Sequence, residues 1–276
     1  MWMTDMKKTT AILSAAVAVG GLYALSVRGR TGHPGFAQLE GWKYAHRGLH
    51  SEGVPENSMA AFRAAVENGY GAELDVHLLA DGTLAVIHDH SLARVAGVDV
   101  QVESLTAAEL SRYRLQGTEE GIPMFSQVLE LFKGKAPLIV ELKATMDNYA
   151  ALCQAACDML RAYEGVFCVE SFDPRCVAWF RKHCPEFVRG QLTENSLGNH
   201  KSHPFALRFA LTHQLENFLT MPDFVAYKYC DRRTLGNFLA RKVWGLKGVS
   251  WTLKTPEEYR QAVKEGWIPI FEGFRP

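Results

Sequence analysis

The sequence lacks an excess of charge of either sign. Its 276 residues contain 30 Lys and Arg against 30 Asp and Glu, so the formal net charge is zero. It therefore lacks the strongly basic surface that nucleic-acid binding normally requires, and we expect no nucleic-acid partner.

Cysteine is also scarce. The six cysteines fall far below the density of a disulfide-rich scaffold, and none forms a C-x-x-C pair typical of zinc ribbons or thioredoxin-type sites.

The composition that remains is that of an ordinary globular chain. Hydrophobic residues make up 47% and charged residues 22%, which excludes intrinsic disorder and collagen-like repeats. The length fits one large domain or two small ones with enough apolar residues to build a core.

A long apolar run lies near the N-terminus. Residues 9–27 carry no charge, and basic residues flank them on both sides. As a helix the run would be roughly 28 Å long, close to the thickness of a bilayer core. We therefore expect residues 1–30 to be a single-pass membrane anchor, whose orientation the flanking charges do not assign. The alternative is a signal peptide cleaved after Ala24-Leu25-Ser26, which would release a secreted protein.

Short apolar segments alternate with helical patterns from Gly41 to the C-terminus, after a short linker at residues 31–40. The predicted strands are residues 42–46, 72–78, 138–141, 166–169, 187–191, 224–227, 248–252 and 268–271. Helical patterns include residues 148–163, 174–183 and 256–265. Because such alternation indicates parallel strands with crossover helices, the eight strands predict an α/β fold, a (β/α)8 TIM barrel over residues 41–276. A doubly wound sheet is the alternative.

The second predicted strand carries polar residues on one face. Its two-residue alternation places Glu73, Asp75 and His77 on the same side of the strand. Two carboxylates on the inner face of a buried strand are costly unless a cation or a proton compensates for them. The pattern therefore indicates a functional site at this strand.

A hairpin is predicted directly after this strand. Asp81-Gly82 is a typical two-residue turn, and residues 83–88 return antiparallel. If Ala80 pairs with Thr83, Asp75 lies opposite His88, about 5 Å away. The hairpin would then deliver a histidine beside the carboxylates.

These residues belong to an ordered series of short motifs. The series is His46-Arg47-Gly48, Glu56-Asn57-Ser58, Glu73-Leu74-Asp75-Val76, Asp81-Gly82 with His88-Asp89, Ile122-Pro123, Glu141-Leu142-Lys143, Ser171-Phe172 and Trp251-Thr252. In this order and spacing it resembles the glycerophosphodiester phosphodiesterase family, from about Trp42 almost to the C-terminus. The resemblance implies a barrel with a small insertion at about residues 91–137. Residues 266–272 replace the Gly-rich run ending in Thr-Asp that is usual in this family.

The residue types at these positions suit phosphodiester hydrolysis. Glu73, Asp75 and Glu141, at the ends of neighbouring strands, would form an all-oxygen cluster for a divalent metal, Mg²⁺ or Ca²⁺. His46 and His88 would serve as general base and general acid, since the unperturbed pKa of histidine, about 6.5, suits neutral pH.

Three further residues are expected to contact the substrate. Arg47 can bind phosphate oxygens bidentately, and Lys143 adds a point charge, which is compatible with pairing to Glu141. Trp251 would cover the glycerol, with filling of the barrel mouth as the alternative. The resemblance implies that the glycerol hydroxyl attacks phosphorus first and that water then opens a cyclic phosphate. The products would be glycerol 3-phosphate and a free alcohol.

Other residues in the same segments are expected to have plainer roles. We interpret Asn57 as a helix cap, His77 and His90 as supporting or surface residues, and His50 as part of a solvated loop. The unusually apolar residues 193–223 are expected to contain a core helix, with a membrane-facing helix as the alternative.

Two other functions compete with this interpretation. One is a lysophospholipase D-type phosphodiesterase that acts on a membrane lysolipid, which the expected anchor would bring close to its substrate. The other is an inactive, membrane-anchored binding barrel, against which the intact histidines and carboxylates argue.

Overall fold

The computed structural model describes residues 2–115, 117–199, 201–202 and 204–276, and for residues 2–13 the backbone alone. The strands within these residues are β1 Tyr44–Ala45, β2 Gly71–Leu78, β3 Leu84–Val86, β4 Leu138–Leu142, β5 Phe167–Ser171, β6 Arg189–Thr193, β7 Phe224–Lys228, β8 Lys247–Leu253 and β9 Ile268–Phe271. The α-helices are α1 Trp2–Ser26, α2 Met59–Glu67, α3 Ala93–Ala96, α4 Ala107–Leu110, α5 Phe125–Phe132, α6 Tyr149–Arg161, α7 Pro174–His183, α8 Ser196–Asn199, α9 Phe205–His213, α10 Asn217–Thr220, α11 Leu235–Phe238 and α12 Pro256–Lys264. Shorter 3-10 helices span Pro34–Gln38, Val102–Ser104 and Tyr229–Asp231, and Leu239–Val243 is a π-helical turn.

Eight of these strands close into a parallel barrel. They follow the order β1-β2-β4-β5-β6-β7-β8-β9, and β9 pairs back with β1, where Tyr44 lies opposite Ile270. Helices follow most of the strands along the chain. The predicted (β/α)8 architecture is therefore confirmed, and the unusual C-terminal segment closes the barrel through β9.

The lower end of the barrel interior is apolar. Tyr44, Ile139, Phe224 and Ile270, from four different strands, belong to one buried cluster. Phe36, from the 3-10 helix within the expected linker, packs into the same cluster from below. A two-residue period along each strand means that the next inward position lies one step closer to the upper mouth.

The helices cover the outer face of the barrel. Leu74 and Val140, which alternate with the inward residues of β2 and β4, pack with Phe62 of α2, Phe132 of α5 and Leu152 of α6. A disulfide between Cys157 and Cys184 joins α6 to the end of α7. This outer layer holds the strands in the register that the site requires.

The predicted register of the β2–β3 hairpin was wrong by one residue. The backbone N–H of Leu79 donates to the carbonyl of Thr83 at 2.9 Å, so Ala80 belongs to the loop and does not pair with Thr83. The loop has three residues, and Gly82 closes it at a φ of 83°. Three-residue hairpin loops commonly end on such a left-handed residue, and glycine adopts it without strain.

The N-terminal helix α1 contacts the barrel through its last turns. The indole Nε1 of Trp244 donates to the carbonyl of Ala24 at 2.6 Å, and the Tyr23 hydroxyl bonds His213 at 2.7 Å. Further out, Val17 and Leu22 are about 70% exposed. Among the described residues, no helix combines the length and the apolar character needed to cross a bilayer.

The apolar stretch at residues 193–223 does not form the expected core helix. In α9, Phe205 is 65% exposed, and in α10 Phe218 and Leu219 are more than half exposed. These side chains point outward because polar residues take the inward positions: Thr212 and Asn217 are buried and hydrogen-bonded.

Candidate active site

Four buried carboxylates converge at the upper ends of three adjacent strands. Glu73 and Asp75 lie on β2, Glu141 on β4 lies in register with Asp75, and Glu170 on β5 lies in register with Glu141. None is more than 6% exposed. Ligand oxygens of Glu73, Asp75 and Glu141 all lie within 4.8 Å of one another. The structure thus assembles the predicted oxygen cluster and adds Glu170, which the sequence analysis missed.

Two cations face this cluster in the described part of the chain. Lys143 Nζ lies 2.8 Å from Glu141 Oε1 and 3.1 Å from Asp75 Oδ1. The backbone N–H of Arg47 donates to Glu73 Oε2 at 3.1 Å, and its Nε lies 3.5 Å from Asp75 Oδ2. Because four carboxylates face two cations, the buried cluster carries a surplus of negative charge.

The surplus appears in the proton affinities of the carboxylates. Burial, reinforced by the charges of Asp75 and Glu141, raises the pKa of Glu73 well above its ordinary value. Burial raises the pKa of Glu141 to about 7 and, with its neighbours, raises the pKa of Glu170 strongly. Burial acts the same way on Asp75, but Lys143 and other cations outweigh it and lower its pKa. The raised pKa values mean that proton binding neutralises negative charge that Lys143 and Arg47 leave uncompensated.

The donor set fits a hard divalent cation. All three converging ligands are carboxylates, the type that Mg²⁺ and Ca²⁺ prefer. Glu170 Oε2 is buried without a hydrogen-bond partner among the described residues, so the cluster holds unused acceptor capacity as well as charge. The residues present therefore fit the implied metal.

His46 follows β1 and points toward the carboxylates. Its Nδ1–H donates to Glu272 Oε2 at 2.5 Å, and its Nε2 lies 3.9 Å from Glu73 Oε2. The hydrogen bond from His46 is the main reason why the pKa of Glu272 falls to about 2. Burial nevertheless lowers the pKa of His46 itself, which favours the neutral ring, whose Nε2 can accept a proton.

His88 has the same arrangement on the other side of β2. The hairpin places it there despite the shifted register, because the N–H of Ile87 donates to the carbonyl of Asp75 at 3.0 Å. Nδ1 of His88 lies 2.6 Å from Asp89 Oδ1. Burial lowers its pKa, against the charge of Asp75. In both predicted catalytic histidines a carboxylate engages Nδ1, so Nε2 is the nitrogen that can exchange a proton.

Asn57 proves to be a site residue and not a helix cap. Ser58 caps α2, with its Oγ accepting the N–H of Ala61 at 3.1 Å, whereas Asn57 Nδ2 donates to Asp75 Oδ2 at 2.8 Å. Asn57 and Arg47 both adopt left-handed backbone conformations, with φ of 52° and 54°. Such strain in non-glycine residues is typical of functional sites, and here it aims both side chains at the carboxylates.

The predicted substrate contacts lie at two sides of the barrel mouth. Arg47 and Lys143 contact the carboxylates directly, while Trp251 lies on β8, four strands from β4 around the barrel. The Trp251 ring is 5.6 Å from that of Phe172 and 5.8 Å from Lys228 Nζ. Phe172 is 38% exposed, so this pair forms an accessible aromatic wall.

Two of the missed residues share a sequence signal. Glu170 and Glu272 each follow directly on a predicted strand, at the end where barrel enzymes carry their active sites. His50, expected in a solvated loop, is instead half-buried, with Nε2 3.9 Å from Glu272 Oε2. With His46 it completes a second group of potential ligands around Glu272.

Sequence comparisons match this chain to phosphodiesterases. The profile of the glycerophosphoryl diester phosphodiesterase family matches residues 46–272. A glycerophosphodiester phosphodiesterase of Bacillus altitudinis is 34% identical over 54% of this chain and 65% of its own length. Another, from Caldanaerobacter subterraneus, is 28% identical over 80% of this chain and 89% of its own. A lysophospholipase D of Rattus norvegicus is 33% identical over 44% of this chain, but this spans only 41% of that protein.

Solved structures share the fold. The phosphodiesterase of Oleispira antarctica, solved in complex with the product sn-glycerol-3-phosphate, has a TM-score of 0.71 at 20% identity. The match covers 88% of this chain and 95% of that chain.

Proposed function

Because this chain belongs to the glycerophosphoryl diester phosphodiesterase family, we propose that it hydrolyses glycerophosphodiesters to glycerol 3-phosphate and an alcohol. One observation carries the proposal: three buried carboxylates converge between two histidines, each of which is oriented by a further carboxylate. This chemistry has two requirements that side chains can meet: carboxylates can bind the metal, and histidines can transfer protons.

Glu73, Asp75 and Glu141 would hold Mg²⁺ or Ca²⁺. When bound, the cation supplies the positive charge that neutralises the phosphate oxygens. Lys143 Nζ lies within 3.1 Å of two of these carboxylates and would add a second positive charge for the phosphate. Arg47, held by Glu56 at 2.9 Å, presents its guanidinium to the same space.

The two histidines would move protons at the attacking and leaving oxygens. Nε2 of one histidine accepts the proton of the attacking hydroxyl, and the other, protonated, donates to the departing alcohol. Glu272 behind His46 and Asp89 behind His88 fix each ring through Nδ1–H and stabilise its protonated form. The lowered pKa of these rings favours the neutral form that the base requires, while the carboxylate behind the other ring supports the protonated form that the acid requires.

The test is product analysis across a matched substrate set. Glycerophosphocholine, glycerophosphoethanolamine, glycerophosphoinositol and a lysophospholipid would each be incubated with and without chelator. We expect glycerol 3-phosphate from at least one of the first three, only when metal is present. Absence of any product from all four substrates with Mg²⁺ or Ca²⁺ would favour the inactive binding barrel.

A lysophospholipase D-type activity is the second candidate. The accessible pair Phe172 and Trp251 offers an apolar surface at the mouth, suited to an acyl chain. The rat relative carries that activity in its name. Faster turnover of the lysophospholipid than of any water-soluble glycerophosphodiester would establish this candidate.

We also propose that residues 9–27 anchor the protein in a membrane. The charge-free run in the sequence and the exposed apolar side chains of α1, Val17 and Leu22 among them, support this location, whereas no helix among the described residues has the length and apolar character of a membrane span. The protein should stay in the membrane fraction through carbonate washing, and residues 1–30 should retain a fused reporter there. Recovery of a mature chain beginning near Val27 would show a cleaved signal instead.

A further inference from the structure

A third group of potential ligand atoms lies beside the proposed active site. His77, His90 and Glu103 each direct one ligand atom inward, and these atoms lie within 4.8 Å of one another. His77 Nδ1 is 2.8 Å from Glu103 Oε1, and His90 Nδ1 contacts the same oxygen. The two imidazole rings meet edge to face, with centroids 4.8 Å apart. The proposed phosphodiesterase mechanism uses none of these three residues.

Three separate elements hold this group together. His77 lies on β2 and is fully buried, His90 follows the hairpin, and Glu103 belongs to the 3-10 helix Val102–Ser104. The N–H of Val102 donates to the carbonyl of His90 at 2.8 Å, which fixes the helix against the hairpin. The backbone positions of the three residues are therefore fixed relative to one another, and the His77 side chain is buried among them.

Both ring nitrogens of His77 face oxygen acceptors, although a neutral imidazole has only one N–H. Its Nε2 lies 3.2 Å from the backbone oxygen of His88, and because a carbonyl only accepts, Nε2 carries the hydrogen. In the neutral ring, Nδ1 then presents a lone pair to the carboxylate of Glu103, which is also an acceptor. His90 Nδ1 faces the same carboxylate oxygen. A single cation among the three atoms would satisfy all of them at once.

The geometry points to a second metal site: we propose that His77 Nδ1, His90 Nδ1 and the Glu103 carboxylate bind a transition-metal ion of the Zn²⁺ type. Two imidazoles and one carboxylate are a donor set typical of Zn²⁺ with an open coordination position. The carboxylate cluster of the active site instead suits Mg²⁺ or Ca²⁺. The two sites would therefore bind different ions from the same solution.

The surroundings of the group fit a metal site in two further respects. A metal-bound histidine usually donates its other N–H to an oxygen acceptor, and Nε2 of His77 does so to the backbone of His88. The side chain of His90 is 49% exposed, which provides an entry path for the ion. Occupancy would tie β2 to the backbone of His88, one of the two proposed catalytic histidines.

The test is a metal titration with the active-site carboxylates already occupied. The full-length protein would be stripped with chelator, saturated with Mg²⁺, and titrated with Co²⁺ as a visible-spectrum probe of nitrogen ligation. We expect one Co²⁺ per chain, displaced by Zn²⁺. His90→Ala and Glu103→Gln should each weaken binding by at least about 10–100-fold, since loss of an outer-shell partner alone costs that much. His183→Ala removes another exposed histidine, on α7, and should change nothing.

Three results would overturn the proposal. Unchanged Co²⁺ affinity in both His90→Ala and Glu103→Gln would place the ion elsewhere. Loss of binding in His50→Ala alone would assign the ion to the group around Glu272. Absence of any Co²⁺ binding in the Mg²⁺-saturated protein would show that the histidines and Glu103 share protons only. Circular dichroism of each variant would verify that it is folded.

Discussion

Two layers of the barrel interior differ in chemistry although they lie on the same strands. The lower layer includes Tyr44, Ile139, Cys168 and Ile270, which pack in one apolar cluster. The upper layer includes His46, Glu141, Glu170 and Glu272, each two residues further along the chain, on the same strand or directly after it. Two residues of a strand span about 7 Å and return to the same face, so each strand changes from apolar to ionisable within one pleat period.

The comparison separates stability from function inside one barrel. Glu141 and Glu170 are buried, as are Ile139 and Cys168, so on β4 and β5 the two layers differ in charge and not in exposure. Burying an apolar side chain stabilises the fold, whereas burying a carboxylate without a full set of partners destabilises it. The lower layer should therefore be sensitive in stability and the upper layer in activity.

The largest expected effect is loss of the metal from the upper layer. Chelation should abolish turnover, and Mg²⁺ or Ca²⁺ should restore it, because Lys143 and Arg47 do not balance the four carboxylates. Glu73→Gln should reduce the rate and the metal affinity together, while Glu130→Gln, at an exposed position of α5, should change neither. Steady-state kinetics and calorimetric titration would measure both. A metal-stripped protein with full activity would contradict the assignment of the upper layer.

The next effect separates the two histidines from the metal ligands. His46→Ala or His88→Ala should each lose about 10²–10⁴ in rate, the usual contribution of a general acid or base. Metal affinity should stay near that of the unmodified protein, because each histidine exchanges protons and does not hold the ion. The double variant should lose much less than the sum of the two single effects. A histidine variant that lost metal binding as severely as Glu73→Ala would instead identify that histidine as a ligand.

The lower layer should respond to substitution in the opposite way. Ile139→Ala removes a side chain that is 1% exposed and should lower the free energy of unfolding by about 2–5 kcal/mol. The remaining folded enzyme should keep its turnover per molecule, since Ile139, which lies opposite Glu73 in the β2–β4 pair, supplies neither a ligand atom nor a proton. Val263→Ala, at an exposed apolar position on α12, is the matched control and should cost less than about 0.5 kcal/mol. Denaturant unfolding measures the change in stability, and steady-state kinetics measures turnover. Together they show whether the lower layer affects stability without affecting activity.

The lower layer and part of the upper layer can be predicted from the sequence, because side chains alternate between the two faces of a strand. Alternation along a strand shows that Glu73 and Asp75 share a face, and this pattern survives folding. It does not show which residues of other strands meet them, so Glu170 and Glu272 were missed. Local backbone conformation is equally hidden: only the left-handed φ of Asn57 shows that it turns from the helix start toward Asp75.

The β2–β3 hairpin also shows what the sequence leaves undetermined: the turn is predicted correctly, but the register is wrong by one residue. Asp81-Gly82 correctly predicts a turn, but a two-residue and a three-residue loop share this dipeptide. The left-handed position of Gly82 selects the longer loop and moves the register by one. His88 still reaches the site because the backbone hydrogen bond between Ile87 and Asp75 fixes the strand end.

The smallest expected effect tests whether the upper layer costs stability. Burial, with the charges of Glu141 and Asp75, raises the pKa of Glu170 well above its ordinary value. Above the ordinary pKa of a carboxyl group, the unfolded chain releases this proton while the folded protein still binds it. The free energy of unfolding therefore falls as the pH rises from that ordinary value to the raised pKa of the folded protein. Glu170→Gln should remove this loss, raising the free energy of unfolding at pH 7.5, without divalent metal, by about 1 kcal/mol or more. At pH 4, where the carboxyl is largely protonated in both states, the gain should disappear. Denaturant unfolding at the two pH values measures the difference, with Glu130→Gln as the exposed control. A variant less stable than the unmodified protein at pH 7.5 would show that Glu170 supports the barrel as Ile139 does, and that the two layers are not distinct at this strand.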